Sequence, residues 1–173
     1  MGHDTQRGRV ILGVDPGTAT TGWGVIRQNG NRVRYVQHGA ITTPSEWEMP
    51  RRLNRLFEGV SELVKGYRPD AVAVEELFFN TNVTTAITVG QARGVVLLAC
   101  HRAGVGIYEY TPLQVKQTIT SYGRADKRQV QEMVRTLLNL REIPRPDDAA
   151  DGLAIALCHA FTSRMSGRIE AAR

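Results

Sequence analysis

An apolar run that ends in a carboxylate is the feature of this sequence that most limits how the chain can fold. The stretch Val10–Ile26 reads VILGVDPGTATTGWGVI, and Asp15 comes directly after apolar residues that occupy both alternating faces of a strand. Apolar side chains on both faces predict a strand buried within a sheet. Pro16 and Gly17 then stop the strand. Asp15 is therefore expected at the end of a central strand, either as a turn residue or as a metal ligand on a rigid element.

Hydrophobic periodicity predicts a mixed α/β order for the rest of the chain. The predicted strands are 10–15, 21–26, 32–41, 70–76 and 106–110, and the predicted helices are 50–67, 82–103, 112–119, 126–140 and 146 to about 165. Three strands in an antiparallel meander, followed by alternating helices and strands, are expected to form a mixed five-stranded sheet with helices on both faces. This order is similar to that of ribonuclease H-like domains. We expect one such domain at 10–165, with flexible ends at 1–9 and 166–173.

Composition favours a cytoplasmic protein with a polyanionic partner. The 173 residues carry a formal net charge of +5 and a pI near 9.6, a balance that favours a polyanionic partner. The longest aliphatic run, GVVLLAC at 94–100, is too short to span a bilayer, and no signal peptide is recognised at the start. Both cysteines fall within apolar helical patterns, so we expect reduced core thiols in a cytoplasmic protein.

Acidic residues stand in three places where solvated charges are not expected. Asp15 ends the first strand, and Glu75 and Glu76 end the strand DAVAVEE. Sites in open α/β sheets gather outside the carboxyl ends of strands. Alternation cannot decide which glutamate faces the site, because both sets of alternating residues are plausible inward sets. Asp148 and Asp151 are three residues apart near a helix start and share one helix face. Each acid alone also fits a cap or a turn.

Taken together, these acids predict a divalent metal site. Carboxylates that converge in one cleft repel one another unless they are protonated or neutralised by cations. Oxygen ligands without cysteine or converging histidine suit Mg²⁺ or Mn²⁺ better than Zn²⁺. Two such ions, about 4 Å apart, stabilise the attacking and leaving oxygens of an in-line phosphodiester displacement. An acidic site in a basic protein is what a metal-dependent nuclease requires, since lysine and arginine hold the flanking backbone.

The chain also resembles the RuvC-type Holliday junction resolvases, which are crossover junction endodeoxyribonucleases. The resemblance runs from about Val10 to Met165 through five ordered blocks: ILGVDPGTATTGWGVI, VAVEELFF, GQARGVVL, YTPLQVKQTITSYGRADKRQVQEMVRTLL and DDAADGLAIAL. It implies hydrolysis of two symmetrically placed phosphodiesters in a four-way junction with Mg²⁺ or Mn²⁺, leaving 5′-phosphate and 3′-hydroxyl ends. It also implies a homodimer, and partners among the junction-binding and branch-migration motor proteins of recombination and repair.

The resemblance carries roles to individual residues. It implies that the catalytic, metal-binding acids are Asp15, Glu75, Asp148 and Asp151, which selects Glu75 over Glu76. It further implies that three residues contact DNA: Phe78 by stacking on bases, and Lys116 and Lys127 at phosphates near the site.

One position departs from the family pattern, and one residue receives no role. Gly152 stands where the family has alanine, and a helical glycine costs about 1 kcal/mol in propensity, so looser support of the last carboxylate is expected. His159 lies in an apolar helical pattern and is assigned no role.

Two other functions share features with this sequence. An actin-like or sugar-kinase ATPase module also begins with an acid near a glycine-rich hairpin, but it requires a duplicated domain and a second phosphate loop, for which 173 residues leave no room. A module that binds junction DNA without cutting it does not explain four acids, because acids weaken phosphate binding.

Overall fold

The structure is a computed structural model that describes residues 8–76 and 83–171, with side chains described as far as Arg164. Its strands and helices follow the predicted order. They are β1 (Arg9–Asp15), β2 (Thr20–Asn29), β3 (Arg32–Thr42), α1 (Met49–Tyr67), β4 (Ala71–Glu75), α2 (Val83–Arg102), β5 (Gly106–Tyr110), α3 (Pro112–Thr120), α4 (Lys127–Leu137) and α5 (Asp147–Ala171).

The five strands form one mixed sheet in the order β3-β2-β1-β4-β5. β1, β2 and β3 pair antiparallel, whereas β4 runs parallel to β1, and β5 runs parallel to β4. The predicted fold class is therefore confirmed. β1 lies at the centre because its side chains are apolar on both faces, and Ile11, Leu12 and Val14 are fully buried.

Alternate residues of the central strands enter two separate cores. On one face Ile11 and Ala73 pack with Leu153 and Ile155 of α5, in the core that also holds α3 and α4. On the other face the neighbouring strand residues pack against α1 and α2. The sheet is therefore covered on both sides, and α5 lies across β1 and β2.

Two short helices begin at well-defined caps. Thr111 and Asp126 each form a capping box, in which the side chain accepts from the backbone N–H of Gln114 or Gln129 and that glutamine bonds back. These boxes fix where α3 and α4 start. They thereby fix the directions of Lys116 in the second turn of α3 and Lys127 at the first position of α4.

Two helix ends differ from the prediction. α4 ends at Leu137 rather than near 140, because Asn139 adopts a left-handed conformation with φ of 52°. α5 continues to Ala171, past the predicted end near 165, since no proline interrupts its polar last turns. The division into a domain at 10–165 and flexible ends stays a prediction.

Helix α2 is apolar beyond what the core requires. By length and composition it is the one helix among the described residues that is able to cross a membrane. One side of it is core, with Ala92, Val96 and Ala99 buried, whereas Ile87 and Leu98 on the other side are exposed. Ile87 and Leu98 therefore lie on a side of α2 that takes no part in the core of this chain.

Candidate active site

Asp15 lies at the carboxyl end of the central strand, on the face covered by α5. It follows Ile11 and Gly13 in the alternation of β1, and Ile11 belongs to the α5 core. Burial, followed by the charges of Glu75, Asp151 and Asp148, raises the pKa of Asp15 to about 8. A carboxyl group held in this way resists ionisation unless a cation lies beside it.

Glu75 ends β4, directly beside β1. Ala73, two residues earlier, lies in the α5 core, so Glu75 points to the same face as Asp15. Its carboxyl group is close enough to that of Asp15 for its charge to raise the pKa of Asp15. The ambiguity between Glu75 and Glu76 is thus decided geometrically, since β4 ends at Glu75 and alternation turns the next residue away.

The other two acids come from the first turns of α5. Asp148 and Asp151 are three residues apart on one face of the helix. One carboxylate oxygen from each of Asp15, Asp148 and Asp151 lies within 4.8 Å of the others. Glu75 is not part of this group of three, but it adjoins Asp15. The structure therefore brings all four predicted acids to one edge of the sheet.

Glycines let α5 approach the sheet closely enough to form this cluster. A Cβ added to Gly22 of β2 would lie 1.8 Å from the carbonyl oxygen of Asp148, and one added to Gly13 would lie 2.0 Å from that of Gly152. Real Cβ atoms essentially never approach so closely. The glycines of the opening stretch therefore allow the backbone of α5, which carries two of the acids, to pack directly against the backbone of the sheet.

The expectation that Gly152 weakens the support of the last carboxylate is wrong. A Cβ at Gly152 would lie 2.6 Å from the backbone of Trp23, so this glycine permits the contact between α5 and β2. The helix propensity that it costs, about 1 kcal/mol, is offset by the burial that this close approach allows. The prediction counted only the helix propensity of glycine, because the contact between Gly152 and the strand beneath it is not visible in the sequence.

Two lysines border the acids. Lys127 Nζ lies 3.3 Å from Asp151 Oδ2, and Lys116 is close enough to lower the pKa of Glu75. Both lysines line a cavity of about 250 Å³ together with Glu75 and Asp151, over an apolar floor that includes Val115. Lysines beside an acidic centre suit a nucleic-acid backbone, because they can contact the phosphates next to the one that lies at the acids.

The electrostatic balance of the site opposes full ionisation without a cation. Burial raises the pKa of Glu75, and the charge of Asp151 raises it further, although Asp15, Lys116 and Lys127 act in the opposite direction. Burial likewise raises the pKa of Asp151, against the opposing effect of Lys127. Buried oxygen donors that hold excess negative charge fit a hard divalent cation.

Not every residue singled out in the sequence can be placed. Phe78 lies outside the described residues, so its predicted contact with bases stays a prediction. Conversely, His159, to which the sequence assigned no role, is fully buried and hydrogen-bonded to Tyr110. No sequence signal distinguishes this histidine from a packing residue, because its partner is on a strand 49 positions away.

The metal-free protein is expected to lose stability as the pH rises. The pKa of Asp15 is about 8 in the folded chain, against an ordinary aspartate value of 3.8, so the folded state binds more protons, and stability falls as the pH rises between those two values. In EDTA the thermal midpoint should be lower at pH 8 than at pH 6 by roughly 5 °C, since each kcal/mol moves the midpoint by about 2–4 °C. Calorimetry at both pH values measures this.

Asp15→Asn is the control for that pH dependence. It should flatten the dependence, and Mg²⁺ should raise the wild-type midpoint at pH 8. Equal wild-type midpoints at the two pH values would contradict the assignment of a protonated Asp15.

Comparison with known proteins matches this chain to one protein family. A family model described as crossover junction endodeoxyribonuclease RuvC matches residues 11–159. A RuvC of that description from Rubrobacter xylanophilus is 81% identical over 162 residues, covering 94% of this chain and 90% of that protein. A second from Chloroflexus aggregans is 58% identical over 152 residues, covering 88% and 93%.

Solved structures agree with the fold and with the family. Thermus thermophilus RuvC in complex with a Holliday junction substrate superposes with a TM-score of 0.87 at 43% identity, covering 91% of this chain and 96% of that one. The yeast mitochondrial Holliday junction resolvase Ydc2, at 14% identity, shares the fold with a TM-score of 0.67 over 93% and 83% of the two chains.

Proposed function

The chain belongs to the RuvC family of crossover junction endodeoxyribonucleases, and from this premise we propose that Asp15, Glu75, Asp148 and Asp151 are its catalytic acids. The observation that carries the proposal is the convergence of three acids, with oxygens within 4.8 Å of one another, beside the fourth. The substrate is a four-way DNA junction, and the reaction serves recombination and repair. This assignment is supported by a relative of 43% identity whose structure contains a Holliday junction.

The acids fit a divalent cation, which we propose to be Mg²⁺ or Mn²⁺, with two ions per site. When bound, the ions supply positive charge to both the attacking and the leaving oxygen of a phosphodiester. Asp15 is central to the set, because its oxygen lies within 4.8 Å of those of Asp148 and Asp151 and its carboxyl group also contacts Glu75. The carboxylates repel one another without a cation, so cation binding and ionisation of Asp15 are coupled.

The reaction proposed at this site is in-line hydrolysis. A water molecule loses one proton as its oxygen bonds to phosphorus, the bond from phosphorus to O3′ breaks, and O3′ takes up one proton, so that no net proton is consumed in forming the 3′-hydroxyl. The products are a 5′-phosphate and a 3′-hydroxyl, which a ligase can rejoin. Lys116 and Lys127 hold the phosphate backbone, and Lys127 also holds Asp151 in place through its 3.3 Å contact.

A cleavage assay tests this function. A labelled mobile four-way junction should be nicked at paired positions with Mg²⁺ or Mn²⁺ and spared in EDTA, while a linear duplex of the same sequence stays intact. Ligase should reseal the nicks. Equal cutting of the linear duplex would contradict the proposed junction specificity, and no cutting with either metal would favour a module that only binds junctions. The comparisons favour neither that module nor an ATPase.

We further propose a homodimer whose interface is the α2–β5 face, defined by Ile87, Leu98, Ile107 and Tyr108. Ile87, Leu98 and Tyr108 are 58%, 51% and 43% exposed, and β5 is an edge strand of the sheet. A groove of about 650 Å³ runs along this face. A two-fold dimer presents two sites to a substrate with two equivalent strands, so the occupant we assign is a second copy of this chain.

A charge placed on the α2–β5 face should separate the copies. Leu98→Glu is expected to halve the mass measured by light scattering, because it buries a carboxylate in an apolar contact, and to abolish paired nicking. Leu113→Glu is the matched control: Leu113 is 53% exposed, but it belongs to α3 on the opposite side of the sheet. A dimer mass for Leu98→Glu would exclude this interface.

The remaining assignments follow from the family. We propose that Phe78 stacks on bases where the junction opens, and that junction-binding and branch-migration motor proteins are partners. We also propose a cytoplasmic location, since the relatives are bacterial proteins that act on DNA.

A further inference from the structure

A buried polar pair joins α5 to β5 away from the acids. His159 is fully buried, and its Nδ1 lies 2.8 Å from the hydroxyl oxygen of Tyr110. The ring of Tyr108 packs on the imidazole with ring centroids 4.3 Å apart. The imidazole thus lies between two tyrosines of the same strand.

The pair is not explained by stability. Nε2 of His159 is buried and has no hydrogen-bond partner among the residues that the structure describes. Burial lowers the pKa of His159 to about 4 and raises that of Tyr110 to about 12, so both groups are neutral at pH 7. Leaving a buried nitrogen without a hydrogen bond lowers the free energy of unfolding by at least as much as one neutral hydrogen bond raises it. An apolar pair of similar shape would avoid that loss of stability.

The pair connects β5, which is paired with the strand that carries Glu75, to α5, the helix that carries Asp148 and Asp151. Tyr110 is opposite Glu75 in the register of β4 and β5, and its carbonyl oxygen accepts from the backbone N–H of Glu76 at 2.8 Å. His159 follows Asp151 by eight residues, about 12 Å along α5. Asp151, Ile155 and His159 repeat at intervals of four, so they share one helix face.

The same turn of α5 is also anchored by β2, which lies on the opposite flank of β1 from β4 and β5. Gln28 of β2 is buried, and its Nε2 donates to the carbonyl oxygen of Ala160 at 3.0 Å. Nearer the acids, Lys127 of α4 bonds to Asp151, but the contacts of α5 with the sheet itself are glycine-to-backbone approaches at Gly13 and Gly22. Such approaches set the depth of the helix but not its position along its own axis, since they contain no directional bond.

We propose that the Tyr110–His159 hydrogen bond is a positioning contact, which fixes α5 along its axis against β4 and β5 so that Asp151 meets Glu75 and Asp15. Neither residue touches the reacting atoms. The inference rests on the proposed function of the acids. It accounts for a buried histidine with an unpaired nitrogen, which packing alone does not.

Four variants separate positioning from packing. Tyr110→Phe removes only the hydroxyl group. The double variant Tyr110→Phe/His159→Leu removes the pair together with the unpaired nitrogen, so it is expected to stay folded. His159→Asn keeps a polar atom near the position of Nδ1. Cys158→Ala is the matched control: Cys158 lies next to His159 on α5, and its thiol bonds to the hydroxyl group of Thr118 of α3 at 3.6 Å, so the variant leaves the Tyr110–His159 hydrogen bond in place.

Two readouts are compared at a temperature at which the thermal melt of each variant shows it to be folded. The single-turnover rate of junction cleavage, measured across Mg²⁺ concentrations, should fall about tenfold in Tyr110→Phe and in the double variant, with more Mg²⁺ needed for half the maximal rate. Titration calorimetry with Mn²⁺ on the DNA-free protein should show affinity weakened by a similar factor. His159→Asn should recover part of both losses, and Cys158→Ala should keep wild-type values even where its thermal midpoint falls.

Several results would overturn the inference. Wild-type rate and Mg²⁺ dependence in the double variant would do so, as would losses in Cys158→Ala equal to those in Tyr110→Phe. If the wild-type protein cuts no junction, the proposed function fails, whereas the Mn²⁺ affinities still decide whether the pair positions the acids.

Discussion

Asp15→Asn is expected to reduce junction cleavage by about 10³-fold or more while leaving junction binding within about twofold of wild type. An effect of this size follows when a group that acts in concert with its neighbours is removed from a hydrolytic site. Asp15 has this position because its carboxyl group contacts Glu75 and lies within 4.8 Å of the oxygens of Asp148 and Asp151. Asparagine keeps the shape of the side chain and removes the charge that attracts a cation.

Binding and folding are measured alongside cleavage. A gel-shift assay in EDTA should show unchanged or tighter junction binding, because one negative charge near the phosphates is gone. The thermal midpoint of the metal-free variant at pH 8 should exceed that of wild type, since the ionised carboxylate no longer repels its neighbours. Asp147→Asn is the matched control, because Asp147 is on the first turn of α5 but pairs with Arg145 at 2.9 Å. Full cutting by Asp15→Asn would exclude the proposed site.

Gly22→Ala is expected to cost both stability and activity, although residue 22 has no chemistry of its own. The added Cβ would lie 1.8 Å from the carbonyl oxygen of Asp148 and 2.2 Å from its carbonyl carbon. Both atoms are backbone, so α5 must move away from the sheet. Overpacking of this kind costs about 1–3 kcal/mol, which lowers the midpoint of a chain of this size by roughly 3–10 °C.

Cleavage should fall further than stability explains, because the shift of α5 separates Asp148 and Asp151 from Asp15. Rates measured well below the midpoint, at several Mg²⁺ concentrations, test this. Gly66→Ala is the matched control: a Cβ there meets nothing within 4 Å, and alanine improves helix propensity. A wild-type midpoint together with full cutting in Gly22→Ala would show that the close approach of α5 to β2 is not needed.

Much of the fold could be predicted from periodicity. Apolar residues on both faces of Val10–Asp15 predicted that strand at the centre of the sheet, and Pro16 and Gly17 marked its end. The two clear errors lie at the ends of α4 and α5, where a left-handed Asn139 and the lack of a helix breaker decide the outcome. Such boundaries depend on one or two weak local preferences, which periodicity does not report.

The site was predictable in part. Acids at strand ends and at a helix start were recognisable because charges rarely interrupt apolar patterns without a reason. The roles of Lys116 and Lys127 came from the family resemblance, since nothing in the pattern separates them from the other basic residues. The predicted effect of Gly152 on the support of Asp151 is wrong, because the low helix propensity of glycine is visible in the sequence, whereas the close packing that it allows against β2 is not.

By itself, the sequence determined the order of strands and helices, the central place of the first strand, and the four acids as candidates for one site. These properties are local, since they follow from side-chain alternation, helical spacing and the chemistry of carboxylates. Only the tertiary structure decided that Glu75 faces Asp15, that Gly22 and Gly152 admit α5 to the sheet, and that His159 meets Tyr110. Each of these depends on the approach of two segments distant in the chain, and a distance between segments is set by packing rather than by the pattern of either one.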